Sequence, residues 1–479
     1  MTTVLWILLA AVALLLLLVL AAVVKALLTP AKTSTWKAKI EPEREAVYAE
    51  KLSRMVRYET ISCPGDGQRE KFLGFHRLLE ELFPLVHEKL EKTEIDGNLL
   101  FCWKGKSSER PVVLMSHQDV VPAEGTWLHE PFSGDIADGK VWGRGSADTK
   151  CSVMAFFQGV EELLAEGYIP EQDVYLSSSC TEEILGDGCP KLVSELKRRG
   201  VKPFLVIDEG GAIVDQPVGG VKGYHAMIGI LEKGMGSLRF SAHSNGGHSS
   251  YPSKGSPIAK LAGFVTELEK RDPMTVSFGP EVTAMLQTLA PYGPFYFRLL
   301  FGNLWLFKPL LKKLMPKISA QAAALLKTTI AFTMQAGSDA ANVMPQEATL
   351  TVNLRYIPHQ GMAESNALME RLAQKHGLEM TVLDAKDACE PVSIEGDAYH
   401  LVEKVIHQVF PELPTCPYIM TGGTDARFYQ EISDGCIRFA PVVFGPEQMK
   451  GMHGLNENID CFSLPGAVDF YKAVIRENR

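Results

Sequence analysis

Five short strings bring histidine and acidic residues together: SHQDVVP (116–122), GRGSADTK (143–150), TEE (181–183), IDEGG (207–211) and MHGLNENI (452–459). Zinc takes His nitrogen and Asp or Glu oxygen, and a catalytic site keeps a position for water. Two ions bridged by one carboxylate need about five protein ligands, and these strings can supply them. His117 and Asp119 lie one residue apart, so on an extended backbone their side chains share a side. Asp119 is then placed to accept the second ring N–H of His117 and fix its tautomer. Asp148 follows a glycine-rich turn and opens a helix, where the dipole favours a carboxylate and where two oxygens can also bridge two cations. Glu182 and Glu183 diverge on an extended chain, so one can hold metal while the other takes a proton from an activated water and passes it to a leaving amine. Asp208 closes the apolar run FLVI, and a charge at the end of a buried strand needs a partner. Glu209 takes its place if the strand phase is shifted by one. Taken singly, each string also reads as ordinary structure: a strand-end histidine, a helix cap or a solvated acidic loop.

The elements that must position these residues alternate between helix and strand. Phe72, Phe75, Leu78, Leu79 and Leu82 recur at helical spacing, and PVVLMSH (111–117) reads as a buried strand. A glycine-rich turn then leads into a helix over 149–167 and a strand over 173–180, and KLVSELKRRG followed by FLVID (204–208) repeats the unit. Ligands in such sheets collect beyond the carboxyl ends of strands, so His117, Glu182, Glu183 and Asp208 should converge there. From about residue 222 the pattern changes. Alternating segments such as SLRFSAHS and ATLTVNLRYIP (348–358) flank helix-like stretches, as in a smaller α+β domain inserted before the sheet resumes. A helix over 398–410, the turn TGGTDAR (421–427) and CIRFAPVVF (436–444) then lead to His453.

Bulk composition sets limits. With 479 residues, two domains are expected, and a net charge of −9 argues against a general nucleic-acid binder. Of the nine cysteines, Cys151 and Cys180 lie in apolar stretches, which suits buried thiols better than a disulfide framework. Residues 4–24 are 21 uncharged residues, enough as a helix at ~1.5 Å per residue to cross a bilayer core. No Lys or Arg precedes them, which favours an uncleaved anchor over a secretory signal. Lys25, Lys32, Lys37 and Lys39 follow, and the positive-inside rule would place the body in the cytoplasm. Residues 282–338 contain no acid but carry Arg298, Lys308, Lys312, Lys313, Lys317 and Lys327 among many aromatic and leucine residues. Such a stretch can be ordinary core, lie in a membrane interface, or form a hairpin over an apolar substrate mouth.

The strings, their order and their spacing resemble the zinc-dependent metallopeptidase family of aminoacylase, carboxypeptidase S and desuccinylase, over nearly all of the chain after the apolar helix. The resemblance implies an α/β fold: a discontinuous catalytic domain with a central mixed sheet flanked by helices, plus an inserted α+β lid that often serves for dimerisation. On that pattern residues 1–28 are the anchor, 29–45 a linker, 46–221 and 389–479 the two parts of the catalytic domain, and 222–388 the lid carrying the insert. It also implies two zinc ions, with cobalt as a substitute. His117 and Asp208 would hold one, Glu183 and His453 the other, and Asp148 would bridge. Glu182 would be the general base, Asp119 would orient His117, and a cis peptide would follow Asp148. In GGHSSYP (246–252), His248 stands where relatives polarise the scissile carbonyl, sometimes from a partner subunit. In AANVMP (340–345) and NLRYIP (353–358), Asn342 and Arg355 stand where relatives grip the substrate carboxylate, for which Arg has paired donors. The apolar helix, the GGTDAR string and the basic insert look most like the branch of carboxypeptidase S and the N-fatty-acyl-amino-acid hydrolases, whose members face a lumen or the outside. The expected enzyme cleaves an amide bond beside a free amino-acid carboxylate, in a short peptide or an N-acyl amino acid. A membrane-tethered scaffold with the same fold but no activity is the rival reading, and the presence of a residue at every ligand position speaks against it.

Overall fold

A computed structural model describes residues 2–65 and 69–479. Its centre is a ten-stranded mixed sheet. The strands Gln172–Ser178, Ser107–Met115, Leu205–Asp208 and Cys436–Arg438 lie side by side and run parallel. Their side chains alternate between the two faces because strand residues have period two. Val112, Leu114 and Leu176 join a core with the helices Pro42–Val56, Lys150–Ala165 and Ser463–Glu477. Val113, Met115 and Tyr175 face the helix Gly188–Arg198 through Cys189, Leu192, Val193 and Leu196. With both faces covered, these strands read as continuous apolar runs, as the sequence shows. A hairpin that the sequence pattern did not reveal, Glu91–Ile95 with Asn98–Trp103, extends the sheet at one edge.

The chain moves outward from Ser107–Met115 to Gln172–Ser178 on one side, then crosses to Leu205–Asp208 on the other. The order therefore reverses beside Ser107–Met115, and the crevice beyond the carboxyl ends of these strands is where an open α/β sheet places a ligand. The late strand Cys436–Arg438 sits between Leu205–Asp208 and Tyr224–Glu232, so the sheet needs chain from both sides of the intervening segment.

That segment builds its own antiparallel sheet, in the order Thr329–Ala336, Glu347–Arg355, Met235–His243, Glu379–Lys386. Leu238, Phe240, Leu350, Val352 and Leu354 project from one face and pack with Leu261, Phe264 and Met369 of the helices Pro257–Lys270 and Met362–Lys375. The basic insert folds into the helices Pro280–Leu289, Phe295–Leu300, Leu304–Ile318 and Ala320–Leu326. Its Val282, Met285, Leu286, Phe297, Leu304 and Leu311 join the core of the large sheet, so core packing accounts for one side of it. All nine cysteines are free thiols, eight of them buried. The N-terminal helix Thr2–Leu28 is long and apolar enough to cross a membrane, by length and composition.

Candidate metal centre

His117 lies two residues beyond the strand Ser107–Met115 and is buried. Its Nδ1 is 2.9 Å from the backbone carbonyl oxygen of Asp119 and 3.5 Å from the Asp119 carboxylate. The backbone carbonyl is thus the nearer acceptor beside the ring, with the Asp119 carboxylate the farther one. The Asp119 carboxylate also serves the TEE turn. It accepts the backbone N–H of Glu182 at 3.2 Å and of Glu183 at 3.1 Å, and the Ser62 hydroxyl at 2.6 Å.

Asp148 stands before the helix Lys150–Ala165, and the Asp148–Thr149 peptide is cis, as expected. One carboxylate oxygen is 3.2 Å from His117 Nε2, and the other is 3.1 Å from His453 Nε2. His453 Nε2 is also 3.1 Å from Glu183 Oε2. One donor atom each from His117, Asp148 and Glu183 falls within 4.8 Å of the others, a grouping able to hold a metal ion.

Asp208 departs from the expectation that it joins His117. It is the last residue of its strand, and its oxygens accept the backbone N–H of Glu209 at 2.9 Å and of Ala426 at 2.8 Å. Glu209 turns toward the site instead, with Oε1 3.9 Å from His117 Nε2. Both acids lie at this end of the site, and the apolar run that precedes them does not distinguish them.

Among the described residues, two buried oxygens, Glu183 Oε1 and Glu209 Oε2, have no hydrogen-bond partner. A buried carboxylate oxygen without a partner is costly. The carboxylates of Asp119, Asp148, Glu182, Glu183, Glu209 and the buried Asp425 also outnumber the two imidazoles, so the residues present fit cations that would offset the charge. Electrostatics reflect the excess. Burial opposes a charge on His117, but Asp119 and Asp148 outweigh it and raise its pKa well above the ordinary value. Asp148 and Glu183 raise His453 to about 10. Burial lifts Glu182 and Glu209 well above the carboxylate range, and Asp425, bonded to the Ser179 hydroxyl, is pushed up to about 7.

Glu457, in the fifth string, has a function the sequence reading did not assign. It is fully buried, and its Oε1 accepts the backbone N–H of Gly145, Ala147 and Asp148, each at 3.0 Å. Its Oε2 accepts Arg144 Nη1 at 2.7 Å. It clamps the turn that presents Asp148. The pairing of GRG with a second acid four residues after His453 was the available signal.

The other three expected residues lie on the smaller sheet and its loops. His248 is exposed, in a short bridge with Val343, and its Nδ1 is 2.7 Å from the Ser250 hydroxyl. Asn342 is exposed, and its backbone carbonyl accepts the Ser249 N–H at 3.0 Å, tying the two loops together. Arg355 ends the strand Glu347–Arg355, half-buried, with its pKa lowered by burial and by Arg427. Among the described residues, no hydrogen bond or ion pair joins these three to the histidine–carboxylate cluster, and no carboxylate pairs with Arg355.

A family model described as peptidase family M20/M25/M40 matches residues 113–477. The chain is 34% identical to the N-fatty-acyl-amino acid synthase/hydrolase PM20D1 of Homo sapiens, over 91% of this chain and 88% of that protein. It is 32% identical to the probable carboxypeptidase S-like 2 of Dictyostelium discoideum, over 89% of this chain and 84% of that one. The crystal structure of the M20 family metallo-carboxypeptidase Sso-CP2 from Sulfolobus solfataricus matches with a TM-score of 0.68 at 18% identity, covering 90% of this chain and 99% of that chain. At that identity the likeness speaks for the fold, while the family model and the relatives above 30% speak for descent. The chain belongs to peptidase family M20/M25/M40 and is a hydrolytic enzyme acting on amide bonds.

Proposed function

We propose that the enzyme holds two divalent cations, zinc in the first instance, and cleaves an amide bond next to a free amino-acid carboxylate. The observation that carries this reading is Asp148, whose two oxygens each face a different imidazole nitrogen, at 3.2 and 3.1 Å. In this reading His117 and Glu209 hold one cation, Glu183 and His453 the other, and Asp148 both. The cations would polarise the scissile carbonyl and make a water molecule acidic enough to deprotonate near neutral pH.

Glu182 would accept a proton from the attacking water as the water oxygen bonds to the carbonyl carbon, and would return that proton to the amine nitrogen as the C–N bond breaks. Asp119 holds the Glu182 and Glu183 backbone so that one carboxylate binds while the other transfers protons. His248, with Nδ1 engaged by Ser250, would present Nε2 to donate to the carbonyl oxygen. Arg355 and Asn342 receive the substrate carboxylate, for which the guanidinium offers paired donors. The names of the relatives, N-fatty-acyl-amino acid hydrolase and carboxypeptidase S-like, support an N-acyl amino acid or short peptide as substrate, with an apolar group on the acyl side. The helix Thr2–Leu28 is retained as a membrane anchor.

A hydrolysis series tests this directly: dipeptides, N-acetyl amino acids and N-fatty-acyl amino acids, each beside its carboxyl-amidated analogue, with metal content measured on the same protein. The expected result is about two metal equivalents and cleavage lost on amidation. Equal cleavage of amidated substrates would remove the carboxylate requirement, and full activity without metal would remove the mechanism.

A further inference from the structure

The apolar N-terminal helix does not stand free of the body. Ala22 and Ala26, four residues apart on one face, are buried where the helix meets Phe295–Leu300 and Leu304–Ile318. Lys25 Nζ donates to the carbonyl of Gly302 at 2.9 Å, and the buried Asn303 donates to the carbonyl of Ala22 at 3.2 Å. These contacts fall within the last seven residues of the helix Thr2–Leu28, roughly its final 10 Å at 1.5 Å per residue. If the helix spans a bilayer, that end lies at the headgroup level, and the insert lies there with it.

The connection to the body is docked as well. The backbone N–H of Lys32 donates to Pro291, the Ser34 hydroxyl donates to the Tyr224 carbonyl at 2.6 Å, and the Trp36 ring meets Tyr224 and Phe410 edge-on at 5.3 and 6.0 Å. Residues 29–41 thus strap the helix to the large sheet instead of tethering the body loosely. Beside this junction, Leu304–Ile318 buries Leu304, Leu311 and Met315 but leaves Leu310, Leu314 and Ile318 exposed at 48, 44 and 76%. At i, i+4 and i+8 these form one stripe. Lys313 and Lys317 stand exposed on the adjoining row, and Phe295 and Tyr296 are exposed on the preceding helix.

We propose that this face is a second membrane contact, in which Leu310, Leu314 and Ile318 enter the headgroup–acyl boundary of an anionic leaflet and Lys313 and Lys317 meet lipid phosphates. A large apolar stripe beside cations, with no acid between residues 282 and 338, matches what binds such a boundary. The attachment to the end of a membrane-length helix specifies a bilayer as the occupant. The inference does not depend on the metal centre.

The test uses the full chain in vesicles. In a Cys63→Ser background the remaining native thiols are buried, so Leu314→Cys, at an exposed position, accepts an environment-sensitive fluorophore. Ile169→Cys, exposed at 60% on the loop between Lys150–Ala165 and Gln172–Ser178, is the control. In phosphatidylglycerol-containing vesicles the label at 314 should shift to the blue and be quenched by lipids spin-labelled near the headgroup, while the label at 169 does neither. Adding Lys313→Gln and Lys317→Gln should reduce the quenching about twofold or more in these vesicles but not in pure phosphatidylcholine. A label at 314 that behaves like the one at 169 overturns the contact. So does a blue shift without lipid quenching that grows with protein density, which would mark a second copy as the occupant. Quenching indifferent to the lysine changes overturns the anionic preference.

Discussion

In the proposed mechanism Glu182 would separate chemistry from binding at the level of a single residue. Its backbone N–H is held by Asp119, so the amide of Glu182→Gln keeps the turn while losing the proton acceptor. Turnover should fall by about 10³-fold, within the usual range for a positioned general base, with the metal content unchanged. Retained activity would reassign the base. The neighbouring acids Asp208 and Glu209 offer a sharper comparison. Glu209→Gln should lose about one metal equivalent, because its carboxylate faces His117. Asp208→Asn should keep both metals but lose about 1–3 kcal/mol of stability, because the amide nitrogen cannot accept the buried N–H it replaces. Metal analysis and denaturant midpoints on the two variants decide the assignment. The sequence narrowed this ligand to two adjacent residues. Side chains on a strand alternate, and nothing in an apolar run states which phase meets the site.

Between residues, the turn before the helix Lys150–Ala165 is shaped from a distance. Glu457 is separated from Asp148 by 309 residues yet accepts three amides of the turn and Arg144. Glu457→Gln would leave the buried Arg144 guanidinium without its counter-charge. Loss of one partner of such a pair costs about 3–5 kcal/mol, which should be visible as a lower urea midpoint together with weakened metal retention. A midpoint unchanged from the parent would deny the clamp. The helices and strands around this turn were legible, since apolar runs such as PVVLM (111–115) and helical repeats follow directly from burial on two faces. The hairpin at 91–103 was not, because no residue of its outer strand is fully buried and the strand shows no clean alternation.

Across the whole molecule, the returning chain is locked to the large sheet by a buried ionic cluster. Glu232 ends the strand Tyr224–Glu232 and accepts from Thr424, from Arg427 Nε at 2.6 Å and from Arg438 Nε at 3.2 Å. Glu232→Gln leaves two guanidiniums uncompensated and should cost about 3 kcal/mol or more, measured by denaturant unfolding. The adjacent Lys233 is also fully buried, donating to the carbonyls of Ala324 and Lys327. Burial, with Arg355 and Lys327 nearby, lowers its pKa to about 7. Between about pH 7 and the ordinary lysine value of about 10.4, the unfolded chain holds a proton that the folded chain has released, so stability rises with pH across that window. Lys233→Met should flatten that rise, and identical slopes in the two proteins would show that the amine is charged when folded. By itself the sequence determined the candidate donors, the helix–strand order and the membrane-length helix, because residue type and periodicity report chemistry and burial directly. Only the tertiary structure decided that Glu209 and not Asp208 faces His117, that Glu457 shapes the Asp148 turn, and that the basic insert joins the core on one side while leaving a stripe exposed beside the helix. Strand phase and long-range pairing depend on which elements meet, and that is set by packing among segments hundreds of residues apart.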